Sequence, residues 1–272
     1  MFSRLNSRPR VGMLVFACVA IFPLFRSTPA LGDEGVTLRA VSYNIKHGLG
    51  MDGKLDLKRT GSVLDELEAD VVALQEVDRG VNRSGSVDQP EELAKQLKMH
   101  AAFGSFMELQ GGQYGLAILS RHPIVREHVI RLPRGNEPRV ALAVEVRLPN
   151  AAPLMVVNLH FDWVSDDSFR FDQARALNEY LATLKIPYLL MGDFNDVPES
   201  RTLKLFSENS LEVAKPAEDR FTFSSVDPKK EIDFLFVHPK SNWTVERVRV
   251  IDEALASDHR PVAATLTIRV GE

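Results

Sequence analysis

Six apolar stretches of the sequence are ended or interrupted by residues that carry a carboxylate, a carboxamide or an imidazole. These residues are Asn44, Gln75, Glu76, Asn158, His160, Asp193, Asn195, Asp233, Asp258 and His259. A polar group beside a buried strand costs free energy unless it is paired or binds something. One such stretch would be ordinary, but six of them indicate a shared site at one edge of the sheets that the strands form.

The residue types favour a hard metal ion. Asn44, Glu76 and Asp258 offer oxygen ligands, which Mg²⁺ and Mn²⁺ prefer, whereas Zn²⁺ prefers imidazole and thiolate. Hydrolysis of a phosphate ester needs a metal ion to neutralise the phosphoryl oxygens, a base to prepare water, and donors for the developing charge. The set contains groups for all three tasks, so we predict a phosphoesterase that depends on Mg²⁺ or Mn²⁺.

The first 32 residues have the pattern of a secretory signal peptide. Arg4, Arg8 and Arg10 precede an apolar run over 11–25, and small residues follow up to Gly32. We expect cleavage near Gly32 and export to the periplasm or out of the cell. An uncleaved signal anchor at the membrane is the alternative, although the apolar run is shorter than the roughly 20 residues that span a bilayer.

Cysteine and charge limit the chemistry and the partners. Cys18, the only cysteine, lies in this apolar run, so the mature chain has no thiol to bind a metal or attack a substrate. The full chain has 33 basic and 37 acidic residues, and removing 1–32 removes four arginines, which leaves 29 against 37, net −8. Proteins that bind long nucleic acids usually carry a basic face, so this balance disfavours nucleic acid as a partner.

Strand-like and helical patterns alternate along the chain after residue 36. Strands are predicted at 36–43, 70–77, 116–120, 124–130, 140–148, 154–159, 188–191, 232–237, 245–251 and 262–268. Helical spacing of apolar residues predicts helices over 57–67, 171–184 and about 202–206, and Asp88 with Pro90 predicts the start of another. No linker interrupts the pattern, so we predict one α/β domain, residues 33–272, with helices outside a sheet core.

Seven short motifs follow one another along the chain. They are Ser42-Tyr43-Asn44-Ile45, Leu74-Gln75-Glu76-Val77, Gly115-Leu116-Ala117-Ile118-Leu119-Ser120-Arg121, Asn158-Leu159-His160, Gly192-Asp193-Phe194-Asn195, Ile232-Asp233-Phe234 and Ser257-Asp258-His259-Arg260-Pro261. In this order they resemble the motifs of the endonuclease/exonuclease/phosphatase superfamily, also called the pancreatic deoxyribonuclease-like fold. The resemblance extends from about residue 38 to residue 266. It implies a four-layer α/β sandwich of two packed mixed sheets flanked by helices.

The resemblance also implies roles for individual residues. Glu76 would be the principal ligand of Mg²⁺ or Mn²⁺, with Asn44 and Asp258 nearby. The catalytic residues would be His160, Asp193, Asn195, Asp233 and His259. Among these, Asp193 would orient or deprotonate water, Asn195 would hold the phosphate or the nucleophile, and His160 would contact a phosphate oxygen or assist the leaving group. His259 would stabilise the phosphorane while Asp233 fixes its tautomer.

Substrate contacts are less defined by the sequence. Tyr114, Arg139 and Asp162 are candidates for binding the substrate, and Leu116 stands where many family members have asparagine. The leading hypothesis is a hydrolase of a small-molecule or lipid-linked phosphoester. A secreted nuclease is the second, favoured if folding gathers six arginines in one groove: Arg83, Arg121, Arg126, Arg131, Arg134 and Arg139. The third is a catalytically silent binding module on the same fold, against which the intact residue set argues.

Overall fold

The computed structural model of the protein describes residues 1–2 and 35–269. The predicted signal peptide and its cleavage position lie outside the described residues, apart from residues 1 and 2. Within the described part of the chain, no helix is both long enough and apolar enough to cross a membrane. The fold is that of residues 35–269.

The described residues form twelve strands and four α-helices. The strands are β1 (Val36–Asn44), β2 (Val71–Arg79), β3 (His100–Leu109), β4 (Gly112–Ser120), β5 (Ile124–Arg131), β6 (Val140–Arg147), β7 (Pro153–His160), β8 (Tyr188–Asp193), β9 (Leu211–Glu212), β10 (Asp233–His238), β11 (Trp243–Val250) and β12 (Val262–Ile268). The helices are α1 (Leu57–Glu66), α2 (Gln89–Leu97), α3 (Ser168–Thr183) and α4 (Arg201–Asn209).

The strands form two sheets of six. Their orders are β11-β12-β1-β2-β4-β3 and β5-β6-β7-β8-β10-β9. Each sheet has one parallel pair, β1 with β2 and β7 with β8. A parallel pair needs a crossover connection, which α1 supplies in the first sheet and α3 in the second. The C-terminal ends of each parallel pair therefore meet at one sheet edge, where polar side chains can converge.

Three apolar clusters hold the layers together. The largest lies between the sheets, where Ala73 and Leu116 of one sheet pack with Leu142 and Leu189 of the other. A second joins the first sheet to α1 and α2, and a third joins the second sheet to α3 and α4. The predicted four-layer α/β sandwich of two packed mixed sheets is confirmed.

One long strand, β3, is absent from the sequence prediction. Its sequence begins His-Ala-Ala-Phe-Gly, and alanine and glycine are poor strand formers. The strand forms because Ala102, Gly104 and Phe106 alternate on its buried face and pack against the facing sheet. Pairing with β4 at the edge of the sheet therefore determines this element more than its own composition does.

Candidate active site

Four of the candidate residues lie where β1, β7 and β8 end and where β10 begins. Asn44, His160 and Asp193 are the last residues of their strands. His160 lies beside Asp193 in the parallel register, and Asp233 lies opposite Asp193 in the antiparallel register. Strand pairing thus brings residues that are far apart in sequence to one edge.

Asp193 lies at the centre of this group. Its Oδ2 accepts a hydrogen bond from Nδ2 of Asn44 at 3.1 Å and lies 3.5 Å from Nε2 of His160 and 3.6 Å from Nε2 of His259. Burial, reinforced by the neighbouring Asp233, raises the pKa of Asp193 to about 7, although His259 and hydrogen bonds favour the charged form. A carboxylate with such a pKa can accept a proton near neutral pH.

The Gly192–Asn195 turn fixes Asp193. A side chain on Gly192 would collide with the backbone carbonyl of Leu159, so glycine lets β8 approach β7 closely. The backbone N–H of Asn195 donates to Oδ1 of Asp193 at 2.9 Å, and its Nδ2 donates to the carbonyl of Phe161 at 3.1 Å. Asn195 adopts a left-handed φ of 51°, which asparagine tolerates better than most residues.

His259 is paired with a second buried carboxylate. Its Nδ1 lies 3.0 Å from Oδ2 of Asp233, so this nitrogen carries a proton that it donates. Burial alone would lower the pKa of His259, but Asp233 and Asp193 outweigh that effect and raise the pKa to about 10. His259 is therefore a cation whose Nε2–H is directed towards Asp193.

His160 has a cationic partner, in contrast to His259. Its Nδ1 lies 3.3 Å from a guanidinium nitrogen of Arg139, which is itself buried over the ring of Phe106. Burial lowers the pKa of His160 well below its usual value, and the positive charges of Arg139 and His259 lower it further. Arginine can only donate, so Nδ1 accepts, and the proton of this neutral imidazole is on Nε2.

Glu76 occupies a bulge in β2. The register with β4 shifts between Leu74 and Val77, and Glu76 adopts a left-handed φ of 56°. Such strain in a non-glycine residue is concentrated at functional sites. Among the described residues, the Glu76 carboxylate forms no ion pair, and its one hydrogen bond comes from Nδ2 of Asn44 at 3.1 Å. A half-buried carboxylate without a cation is suited to bind one.

Asp258 lies at the same pocket and already has a cationic neighbour. Its Oδ2 is 2.8 Å from Nζ of Lys46, and its side chain is partly exposed. Asn44 directs its nitrogen towards Glu76 and Asp193, while its Oδ1 accepts the backbone N–H of Lys46 at 3.1 Å. Of the predicted ligands, Glu76 and Asp258 are thus the two that present carboxylates to the pocket.

A second set of groups also has a spacing suited to a metal ion. Ligand atoms of Asp193, Asp233 and His259 lie within 4.8 Å of one another. The Nδ1 of His259 is engaged by Asp233, however, and the imidazole is cationic. A metal ion at this position would have to displace the proton that His259 shares with Asp233.

A pocket of about 650 Å³ opens at this edge of the sandwich. The predicted residues that line it are Glu76, Tyr114, Arg139, His160, Asp193, Asn195, Asp258 and His259. Asn44 and Asp233 lie behind the lining, where they hydrogen-bond to Asp193 and His259.

Asp162 does not face the pocket. It is fully buried, and its carboxylate accepts backbone N–H groups of Asn136, Glu137 and Val164 at 2.7, 3.4 and 3.2 Å. Its position suits a residue that holds two loops at the pocket wall.

Three residues at the pocket had no signal in the sequence prediction: Lys46, Trp163 and Arg170. Lys46 pairs with Asp258 across more than two hundred residues. Arg170 is a buried arginine of α3 that binds Asp196 at 3.2 Å. Trp163 is exposed at the rim.

The six arginines that would favour a nuclease do not gather at the pocket. Arg139 is the one that lines it. Arg83 lies 4.9 Å above the ring of Tyr114 at the pocket wall, but a bidentate pair with Asp78 holds it. Arg121 donates to the carbonyl of Ala69, and Arg126 lies on β5, the outer strand of its sheet.

The fold and the site together define a four-layer α/β protein of the phosphoester-hydrolase type. The model of the Endonuclease/Exonuclease/phosphatase family matches residues 41–259. The chain therefore belongs to this family.

Solved structures show the same fold. An endonuclease/exonuclease/phosphatase from Beutenbergia cavernae DSM 12333 is 24% identical with a TM-score of 0.74, covering 86% of this chain and 72% of its own. A Bacteroides thetaiotaomicron mannosyl-6-phosphatase is 19% identical with a TM-score of 0.67, covering 84% and 99%. D. rerio TDP2, solved with a single-strand DNA product, is 18% identical with a TM-score of 0.68, covering 85% and 98%.

Proposed function

We propose that the protein is a divalent-metal-dependent phosphoesterase that hydrolyses a small-molecule or lipid-linked phosphate ester by in-line attack of water. One observation carries the proposal. Nitrogen atoms of Asn44, His160 and His259 converge on Oδ2 of Asp193. Membership of a family of endonucleases, exonucleases and phosphatases supports hydrolysis of a phosphate ester.

Each residue has a task that its environment supports. Asp193, with a pKa of about 7, would take the proton of the attacking water. The cationic His259 would donate through Nε2 to a phosphoryl oxygen as negative charge develops. Neutral His160 would donate its Nε2–H to a second phosphoryl oxygen or to the leaving oxygen. Asn195 would contact the phosphate, and Asp233 would hold the orientation and charge of His259.

The residues present fit a divalent cation. Glu76 has no cationic partner among the described residues, and Asp258 adds a second carboxylate to the pocket lining, which supports Mg²⁺ or Mn²⁺ as the ion that would bind. A bound ion would supply positive charge that neutralises the phosphoryl oxygens. Asn44 would keep Glu76 and Asp193 in their relative positions through its two hydrogen bonds.

Two further functions are less well supported. A secreted nuclease would share the mechanism, and the DNA-bound structure of TDP2 shows that the fold accepts a strand. The dispersion of the six arginines and the acidic balance of the chain oppose it here. A silent binding module would not need Asp193 and His259 in one pocket.

A substrate panel tests the proposed function. Aryl monoesters and diesters, sugar phosphates, a phospholipid and single-stranded DNA would be assayed with Mg²⁺ and with Mn²⁺, and Asp193→Asn would serve as the blank. We expect turnover of at least one small or lipid-linked ester that the blank lacks. Turnover confined to DNA would support the nuclease, and metal-dependent phosphate binding without turnover of any ester would support the binding module.

We also propose export through the N-terminal segment, for the pattern of residues 1–32 given above. Sequencing the N-terminus of protein from the native host tests it. An intact Met1 on protein recovered from the cytoplasm would contradict the proposal.

A further inference from the structure

The rim of the pocket carries an exposed tryptophan. Trp163 is 58% exposed and lines the pocket, and Val197, 47% exposed, lines it as well. A large aromatic side chain left in water forgoes the free energy of burial. Trp163 follows His160 by three residues, so their Cα atoms are at most about 10 Å apart. Both side chains line the same pocket, so a group attached to a phosphate held at His160 would occupy the cavity that the indole borders.

Hydrogen bonds hold the backbone on both sides of Trp163. Nη1 of Arg170 donates to the carbonyl of Asp162 at 3.1 Å and to the carbonyl of Val164 at 2.7 Å. One guanidinium is therefore hydrogen-bonded to the backbone on both sides of the tryptophan. The carboxylate of Asp162 accepts the N–H of Val164. An aromatic side chain on a fixed backbone is preorganised, so less conformational entropy is lost when a ligand binds to it.

The same arginine fixes the loop that carries Val197. Nε of Arg170 donates to Oδ2 of Asp196 at 3.2 Å, and Oδ1 of Asp196 accepts the N–H of Val197 at 3.0 Å. Arg170 and Asp196 are both buried. One buried ion pair thus positions the two exposed apolar side chains at the pocket mouth, which we call the apolar lip (Trp163 and Val197).

The size and surroundings of the lip indicate what it binds. Much of the remaining wall is charged, with Glu137, Arg139 and Lys230 among its residues, and these groups interrupt the apolar contacts that Val164, Phe223 and Ile232 offer. A long acyl chain would need an extended apolar path, whereas a planar ring needs one flat partner and a small contact beside it. Aromatic pairs gain stability from offset or edge-to-face packing beyond the area that they bury.

We infer that Trp163 and Val197 form a subsite for a planar aromatic group esterified to the phosphate, so that the substrate is a phosphoester with an aromatic organic part. The inference rests on the proposed function, since the phosphate must be held at His160 and Asp193. Trp163 selects the substrate and takes no part in proton transfer.

Fluorescence of Trp163 tests the subsite without turnover. The chain has two tryptophans, and the other, Trp243 on β11, is 6% exposed in the sheet core. In a Trp243→Phe background with Mg²⁺, phenylphosphonate, n-hexylphosphonate and methylphosphonate would be titrated, because their carbon–phosphorus bonds resist hydrolysis. We expect phenylphosphonate to change the emission saturably and to bind about tenfold more tightly than the other two.

Variants assign the effect to the indole. Binding to these variants would be followed by calorimetry. Trp163→Ala should weaken phenylphosphonate about tenfold and leave methylphosphonate within about twofold, and Trp163→Phe should restore most of the loss. Phe169→Ala is the matched control, an exposed aromatic of α3 outside the pocket lining, and should change neither.

The possible results separate the two proposals. Equal binding of phenylphosphonate to wild type and Trp163→Ala would overturn the aromatic subsite while leaving the proposed function intact. Hexylphosphonate binding as tightly as phenylphosphonate, with the same dependence on Trp163, would overturn it in favour of an acyl chain. Binding of none of the three phosphonates would contradict the phosphate site and the subsite together.

Discussion

A guanidinium nitrogen of Arg139 lies 3.3 Å from Nδ1 of His160, and both side chains are buried. Oδ2 of Asp233 lies 3.0 Å from Nδ1 of His259. The two imidazoles therefore face Asp193 with the same group, Nε2–H, but differ in charge. His160 is neutral because it is buried and its partner is a cation, whereas His259 is cationic because its partner is an anion. A neutral donor and a cationic donor beside one base suit a reaction in which a proton moves and charge develops on phosphorus.

The two charge states can be read by nitrogen NMR of the metal-free protein. With a pKa of about 10, His259 keeps both ring protons below that pH. His160, whose pKa is depressed, stays neutral above its lowered pKa and carries its proton on Nε2. At about pH 8, we expect one doubly protonated ring and one neutral Nε2–H ring at the site. Arg139→Gln, which offers an acceptor as well as a donor, should mix the tautomers of His160. A proton on Nδ1 of His160 in the wild type would contradict this assignment.

The second prediction concerns the cation position. Glu76→Gln removes the negative charge of the carboxylate that lacks a cationic partner, so Mn²⁺ should bind at least about tenfold more weakly by calorimetry. The fold should persist, since Gln can still accept from Asn44. Glu66→Gln on the exposed face of α1 is the control and should bind Mn²⁺ as the wild type does. Unchanged Mn²⁺ affinity in Glu76→Gln would refute the metal assignment.

The third prediction concerns the pair of Asp233 and His259. His259→Ala should lose about 100- to 10,000-fold in rate, the usual cost of removing a positioned proton-transfer group, and Asp233→Asn should lose less because it acts through His259. The double variant should be hardly slower than His259→Ala alone, since groups that act as a unit are not additive. Losses that multiply fully in the double variant would show that Asp233 works independently.

Two arginines of α3 should differ sharply in their effect on stability. Arg170 forms a buried pair with Asp196, whereas Arg175 pairs with Asp172 on the surface. Removing one partner of a buried pair leaves an uncompensated charge, so Arg170→Met should lower the free energy of unfolding by about 3 kcal/mol or more. Arg175→Met should cost less than about 1 kcal/mol. Urea unfolding followed by circular dichroism measures the free energy of unfolding of both variants. If Arg170→Met lost no more than Arg175→Met, the Arg170 pair would have no special structural role.

The sequence predicted most of the fold because its signals are local. Apolar alternation, helical spacing and caps such as Asp88, whose side chain accepts the N–H of Glu91, depend on residues close together in the chain. The strand β3 was not predicted because Ala102 and Gly104 have little intrinsic preference for strands. They form one here because they pair with β4 and pack against the facing sheet. Tertiary packing, which the sequence does not display, decided that element.

The site was predictable to the extent that its residues end strands. Asp193 and His160 could be grouped in advance because parallel neighbours finish at one edge. Trp163 and Arg170 could not, since their roles depend on how a loop folds back on α3. The same folding turns the carboxylate of Asp162 onto backbone N–H groups, whereas its spacing from His160 had suggested a place in the pocket.

The most direct test of metal-dependent hydrolysis at Asp193 is the rate of bis(p-nitrophenyl) phosphate cleavage by wild type and Asp193→Asn, with Mg²⁺ or Mn²⁺ and then with chelator. We expect turnover by the wild type that chelator abolishes and added metal restores, and a loss of at least about 100-fold in Asp193→Asn. Turnover that survives chelation, or that Asp193→Asn retains in full, would contradict it.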